Sequence, residues 1–579
     1  MGCGASQGAD KDNSSQVTGH FLSIPQKDTA EGKAKRSKQL QEAKRSYEIE
    51  YSDWLPPSTK GIPERELGRP EASFLLDLFA KLHGESMLMK FLKPVHMIEK
   101  FVRCEDPTAG PNFPFQQWIE IYPPDMTFDG VKHNIPSVST RWREDREFGY
   151  QRLNGINPIM VKRYRPLPNF PVTDELLAGV LPPGQTIASL HEAKRLYMLD
   201  FQWLQGVSHP PEVHWVVPIV LLLIDDSKEL VPIAIQLHQS PLDGPIYTPK
   251  VHPGCWQLVK WYCTSADAAM HQNVSHLLST HLIMETVYLV AHRNLAERHP
   301  IHELIDAHFW FTVIINTSAR NKLMVPEGQL PKLYPQGLEG MQQLMGKFNH
   351  EWDWEKYDIP KFLASHDVAE IPGYHYRDDA LKLWPVVQQY VQEIVDLTYA
   401  NDAEVNGDPE LEAMARELQI GTTWKNLPMT GGKFTTKEEL VRFVTLVIFN
   451  VSCQHAAVNN GQFDFIGYVP NCPPKLSIPP PTLDAQFTDV ELARALPNYD
   501  SSIVQVAFFG AIASPCPVDR RLGAFPQGYM TELPNARPAI QKFQRQLSDI
   551  SKDIKVRNAS LRVPYTYLDP EQIATGVAT

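Results

Sequence analysis

Seven cysteines in 579 residues, Cys3, Cys104, Cys255, Cys263, Cys453, Cys472 and Cys516, are few and scattered. They are odd in number and contain no CxxC pair, which excludes a disulfide scaffold and a zinc–thiolate site and suits a reducing, cytoplasmic setting. Long apolar runs are lacking too. The longest, WVVPIVLLLI from Trp215 to Ile224, has ten residues and contains Pro218, so it is too short to span a bilayer and reads as a buried strand. Positive charge is in deficit. A net charge of -12 and a pI near 5.9 exclude a nucleic-acid binder, whose surface must neutralise phosphates. There is no apolar leader of the secretory kind, no repeat and no low-complexity segment. The HExxH signature of zinc hydrolases is missing, and no general base stands beside the candidate ligands described below.

What is present is a long, proline-rich chain with 43% hydrophobic residues and 49 prolines, enough to bury a large core behind many ordered connections. Composition divides it in two. Residues 1–45 form a polar, flexible tail, and residues 46–579 form one dense globular body. The tail opens MGCGAS, which fits myristoylation of Gly2 with Ser6 in place and Cys3 available for a palmitoyl group. Lys33, Lys35, Arg36, Lys38, Lys44 and Arg45 follow as a basic segment. One acyl chain anchors only marginally, and this tail offers the second signal that stable attachment to the cytoplasmic face of a membrane needs. In the body, Trp215–Ile224 and LVPIAIQL (Leu230 to Leu237) read as two strands joined through DDSKE in a hairpin. The rest is mainly helical, with long apolar periodicity around His276 to His308, Asp378 to Tyr399 and Glu438 to Val458.

Two of those helical stretches carry the most informative residues. His455 and Asn459 are four apart and share a helix face. His276 and His281 are five apart, about 140° round an ideal α-helix, too far to meet one ion comfortably. A wider π turn brings them together, and such turns concentrate at functional sites, so the spacing predicts a π-bulge between Ser275 and Leu282. The four residues read as two helices closing on one metal. His271, His292, His299, His302 and His308 read as hydrogen-bonded structural residues.

Six stretches in order resemble the lipoxygenase family: FGYQRLNGINP (Phe148 to Pro158), LVPIAIQL, SHLLSTHLIMETVYLVAHRNLAERHPI (Ser275 to Ile301), INTSARNKL (Ile315 to Leu323), QHAAVNNGQFD (Gln454 to Asp464) and VPYTYLDP (Val563 to Pro570). The resemblance implies a large, mainly α catalytic domain with small β-sheets. It also implies non-haem iron held by His276, His281, His455, the weaker amide of Asn459 and the carboxylate of the last residue. Imidazole, amide and carboxylate donors without thiolate suit iron, or less well manganese, better than zinc. The chain ends GVAT where the family usually ends in isoleucine, which puts Thr579 at the terminal ligand position. By the same resemblance Gln272 and Gln462 orient the ligands, Leu282 presses the substrate toward the metal, and Ala268 and Leu333 shape the depth of the channel. Ala319 occupies the position where alanine accompanies S products.

The implied reaction uses ferric hydroxide to take a hydrogen atom from the methylene of a cis,cis-1,4-pentadiene, followed by addition of O2. The product is an S-configured conjugated-diene hydroperoxide of a polyunsaturated fatty acid. The expected protein is a monomer with a single catalytic body and without the family's β-barrel lipid-binding domain, acylation at Gly2 and Cys3 taking over the role of that domain. Two alternatives keep the fold: a hydroperoxide isomerase on the same ligands, and a lipid-anchored fatty-acid binding protein that lost turnover.

Overall fold

A computed structural model of the protein describes residues 22–68, 72, 115, 122, 126–128, 131–513 and 516–577. The architecture is mainly α, as expected, with small antiparallel sheets.

The largest sheet has five strands in sequence order: β1 (Lys162–Arg163), β2 (Leu196–Asp200), β3 (Ile219–Ile224), β4 (Leu230–Gln236) and β5 (Ile246–Tyr247). β3 and β4 form the expected hairpin. Every residue of β3 is buried, and its alternation explains the continuous apolar run. Val220, Leu222 and Ile224 face the main helical core, whereas Ile219, Leu221 and Leu223 face a smaller core that includes Tyr164, Phe170, Leu177 and Leu190. A strand covered on both sides needs no polar face. Pro232 sits inside β4 opposite Leu222, where it cannot donate to the ladder; the register shifts between Leu221 and Leu222, as a bulge beside a strand proline should.

The body is organised around one helix of 42 residues, α3 (Pro253–Asn294), to which α2 (Asp145–Asn154) is tied by a buried ion pair described below. His252 caps its start by accepting from the Gly254 amide at 3.1 Å, and Pro253 occupies the first turn, where its missing N–H costs nothing. α3 is apolar enough to cross a membrane by length and composition, and so is Lys437–Ile466, yet both lie buried in the protein. α4 (Thr312–Ser318) packs on α3, and further helices are α5 (His375–Thr398), α6 (Lys437–Phe449) and α7 (Ala536–Asn558). α5 packs between α6 and α7.

The expected flexible tail is corrected for its second half. Residues 30–46 form α1 (Ala30–Ser46), capped by the Thr29 hydroxyl, which accepts from the Gly32 amide at 3.1 Å, and packed on the second half of α3. The helix has no apolar face to announce this. It docks through Arg36, which is 3% exposed and pairs with Asp28 at 2.6 Å and Glu410 at 2.9 Å, and through Arg293, which donates to the carbonyls of Lys44 and Tyr47. Gly2 and Cys3 lie outside the described residues.

Candidate metal centre

Three successive states of one helix build the centre. α3 is α-helical to Met270, π-helical over His271–Leu282 and α-helical again from Ile283. The expected bulge between Ser275 and Leu282 is therefore present but longer, a full twelve-residue π segment. A π turn leaves backbone carbonyls badly aimed for the ordinary ladder, so something must satisfy them. Side chains do so here. Ser279 donates to the Val274 carbonyl at 2.7 Å and Thr280 to that of His276 at 2.7 Å. From outside the helix, Asn450 donates to the Ser279 carbonyl at 2.9 Å and Asn316 to that of His281 at 3.0 Å.

Asn450 begins a second π segment, Asn450–Gln454, which joins α6 to the final turn His455–Asn459. Nothing in the four-residue spacing of His455 and Asn459 demanded it. Tyr376 on α5 donates to the Gln454 side chain at 2.5 Å, and His271 Nε2 donates to the Val458 carbonyl at 2.7 Å. The His271–Val458 and Asn450–Ser279 bonds tie the two ligand-bearing helices together, and Tyr376 braces the second of them from α5.

The imidazoles of His276, His281 and His455 meet at the crossing. Their Nε2 atoms converge: His281 Nε2 stands 3.2 Å from that of His276 and 3.0 Å from that of His455. Burial depresses the His276 pKa well below the ordinary histidine value, with the neighbouring imidazoles adding to the effect, and lowers that of His281 to about 4 against the opposing bond from Asn316. These two rings are therefore neutral near pH 7. His281 Nδ1 donates to the Asn316 amide oxygen at 3.0 Å, which leaves the Nε2 lone pair free to point at the centre. Converging lone pairs of this kind need a cation. Nitrogens about 2.1 Å from one ion stand about 3.0 to 3.4 Å apart, and the spacings of 3.2 and 3.0 Å fall in that range. The rings cross at 87° and 73° around His281, and these residues fit a metal.

Among the described residues this is the one group of three His, Cys, Asp or Glu placed to hold a metal ion, and its ligand atoms lie within 4.8 Å of one another. Asn459 lies beside it, within hydrogen-bonding reach of His276. Gln462 donates to the Asn459 oxygen at 2.7 Å. Gln272 is buried with its amide oxygen unpartnered, as is the amide oxygen of Gln462. The other histidines are structural, as expected: His308 donates to the Leu304 carbonyl, and His299 faces Asp408 at 3.2 Å and caps Ile301. Leu282, Ala319, Ala268 and Leu333 are all buried in the main core.

Thr579 lies outside the described residues. Up to Val577, which is fully buried, the chain end is held inward. Tyr567 donates to Asp464 at 2.8 Å, Asn460 to the Gln572 carbonyl at 3.1 Å, and the Thr575 amide to the Arg520 carbonyl at 2.9 Å. Gly576 lies so close to Trp310 that a Cβ there would meet its backbone nitrogen at 2.6 Å.

A family model described as Lipoxygenase matches residues 115–565. The chain belongs to the lipoxygenase family. It is 37% identical over 460 residues to the polyunsaturated fatty acid lipoxygenase ALOX15B of Rattus norvegicus, covering 77% of this chain and 67% of that one. ALOX8 of Mus musculus is 36% identical over 452 residues, 76% of this chain and 66% of the relative. The hydroperoxide isomerase ALOXE3 of Rattus norvegicus is 35% identical over 452 residues, 76% of this chain and 63% of the relative. The chain thus spans about two thirds of the length of these curated relatives. Among solved structures, a calcium-dependent 11R-lipoxygenase superposes with a TM-score of 0.86 at 28% identity, covering 97% of this chain and 83% of that one. The coral 8R-lipoxygenase gives 0.86 at 29%, with 96% and 83% covered.

Asn316 is the residue that sequence reading missed. It sits inside INTSARNKL, one helical turn before Ala319, and only the fold brings it to His281. Asn316→Ala should weaken metal binding about 10- to 100-fold, the usual cost of removing a group that orients a ligand histidine; titration of the metal-free protein with ferrous ion would read this directly.

Proposed function

We propose that the protein oxygenates polyunsaturated fatty acids to S-configured conjugated-diene hydroperoxides, using one iron ion held by His276, His281, His455, Asn459 and the Thr579 carboxylate. The convergence of three buried imidazoles, with ligand atoms within 4.8 Å of one another, carries this reading. When bound, the metal supplies the one-electron oxidant that removes a hydrogen atom from the pentadiene methylene. The protein's own residues do the rest. Burial and the Asn316 bond keep the His281 lone pair available, while Gln462 holds the Asn459 amide at the edge of the centre. Leu282 follows His281 directly and offers an apolar side chain to the pentadiene. Ala319 lies three residues beyond Asn316 and so shares the helix face that reaches the ligands, where its methyl group shields one end of the pentadiene from oxygen. Ala268 and Leu333 bound the depth of the acyl channel.

Incubation with arachidonic and linoleic acids, followed by diene absorbance, oxygen uptake and chiral chromatography, tests the reading. Consumption of added hydroperoxide without oxygen uptake would replace it with the isomerase reading, which the likeness to ALOXE3 keeps in view. Ala319→Gly should raise the share of the R product; an unchanged enantiomer ratio would remove Ala319 from the scheme. Acylation at Gly2 and Cys3, bringing the enzyme to the cytoplasmic face of a membrane, belongs to the same proposal. Gly2→Ala should move the protein into the soluble fraction of lysed cells, and unchanged fractionation would refute the anchor.

A further inference from the structure

Glu285 is fully buried on α3, four residues past His281 and therefore on the same face of the helix. Its partner is Arg320, the residue after Ala319. The guanidinium binds the carboxylate in bidentate fashion, at 2.6 and 3.0 Å, and also reaches the Thr317 hydroxyl at 3.2 Å. The remaining capacity of the carboxylate is taken by the Thr59 amide, which donates at 3.1 Å, and Arg320 reaches the Thr59 carbonyl at 3.5 Å. Arg320 itself belongs to a third π segment, Ala319–Leu323, which continues α4. In that segment the Met324 amide closes on the Ala319 carbonyl at 3.0 Å, a five-residue bond.

A buried ion pair is a poor source of stability, because desolvation offsets most of the attraction, and packed apolar residues would serve as well or better. What it provides here is direction. A bidentate guanidinium–carboxylate contact fixes both distance and angle, and it fixes them between the helix that carries the metal ligands and the turn that carries Ala319. We propose that the Glu285–Arg320 pair, seated on the Thr59 backbone, is a positioning device: it holds the Ala319 turn in register with the metal-bearing helix and so decides which end of the substrate oxygen reaches. The stereochemical role of the pair rests on the proposed oxygenation; its role in ordering the turn does not.

Two variants test it. Arg320→Lys keeps the charge and loses the fork, and the double variant Glu285→Gln with Arg320→Met removes both charges while leaving an acceptor for the Thr59 amide. It remains the test should the single variant fail to fold. Hydrogen exchange at the Ala319–Met324 segment should quicken about tenfold in either variant, with the segment around His455 unchanged. With arachidonic acid, the ratio of major to minor enantiomer should fall about tenfold in either variant, since the bidentate geometry is what both have lost. Slower turnover or a lower melting temperature with both readouts as in the wild type would overturn the proposal, because a merely structural pair would give that result. Faster exchange with an unchanged enantiomer ratio would also overturn it. If the unaltered protein oxygenates no fatty acid, the function proposed above falls, and exchange alone decides whether the pair orders the turn.

Discussion

His281→Ala is expected to abolish metal retention and lower activity at least about 10³-fold, well beyond the 10- to 100-fold cost of losing a group that only orients a ligand. His281 is the ring that touches both others, at 3.2 and 3.0 Å, and its removal leaves two imidazoles with nothing between them. The fold should survive. The π segment is held by the Ser279 and Thr280 hydroxyls and by Asn450, none of which uses the imidazole, and the Asn316 amide still donates to the His281 backbone. Elemental analysis of the purified variant should therefore show a folded, metal-poor protein. A variant that keeps wild-type metal content would remove His281 from the ligand set.

Arg152→Leu should destabilise the protein by about 3 to 5 kcal/mol, the cost of stranding a buried charge. Arg152 on α2 pairs with Asp267 on α3, the two being 3% and 2% exposed. Asn157 donates to the other carboxylate oxygen at 2.7 Å. Burial raises the Asp267 pKa above the ordinary aspartate value even against the pull of Arg152, so loss of the arginine raises it further. The sign of the pH effect follows. An acid whose folded pKa lies above its unfolded one takes up a proton on folding, so the stability deficit of the variant is largest above the folded pKa and shrinks as the pH falls through it. Denaturant melts at pH 8 and pH 5 should show this narrowing. Arg152→Met combined with Asp267→Asn, which leaves no charge and still accepts from Asn157, should recover most of the loss. An Arg152→Leu variant as stable as the wild type at both pH values would show that the pair contributes nothing.

The contrast between what was legible in the chain and what was not follows from locality. The β3–β4 hairpin could be read because its apolar run and its turn are contiguous. The three histidines could be read because HLLSTH and QHAAVNN carry them at fixed spacing, and the five-residue gap in the first pair announced the π segment. The second and third π segments left no such mark, since four-residue spacing suits an ordinary helix and Ala319 has no ligand partner in its own segment. Asn316, Asn450 and the Glu285–Arg320 pair are ordinary polar residues in the sequence; contacts across 35 residues in two cases and 171 in the third give them their roles. α1 was misread for the same reason. It binds through one arginine whose partner Glu410 lies 374 residues away, and composition alone describes it as a solvated segment.

The twelve-residue π segment also acts as a phase shifter. Two histidines four apart on a plain α-helix would have faced the same ion, so the fifth residue is not what brings His276 and His281 together. Its effect falls on everything beyond. Each residue absorbed into a wide turn alters the rotation of the downstream helix by up to about 100° relative to the upstream half. Glu285 meets Arg320, and Tyr288 and Arg293 meet the N-terminal segment, only in that rotated setting. Removing a single residue from His271–Leu282 would keep the apolar composition and nearly every side chain, yet turn one half of the longest helix away from its neighbours. The centre is thus encoded as much by the count of residues between its ligands as by their identity.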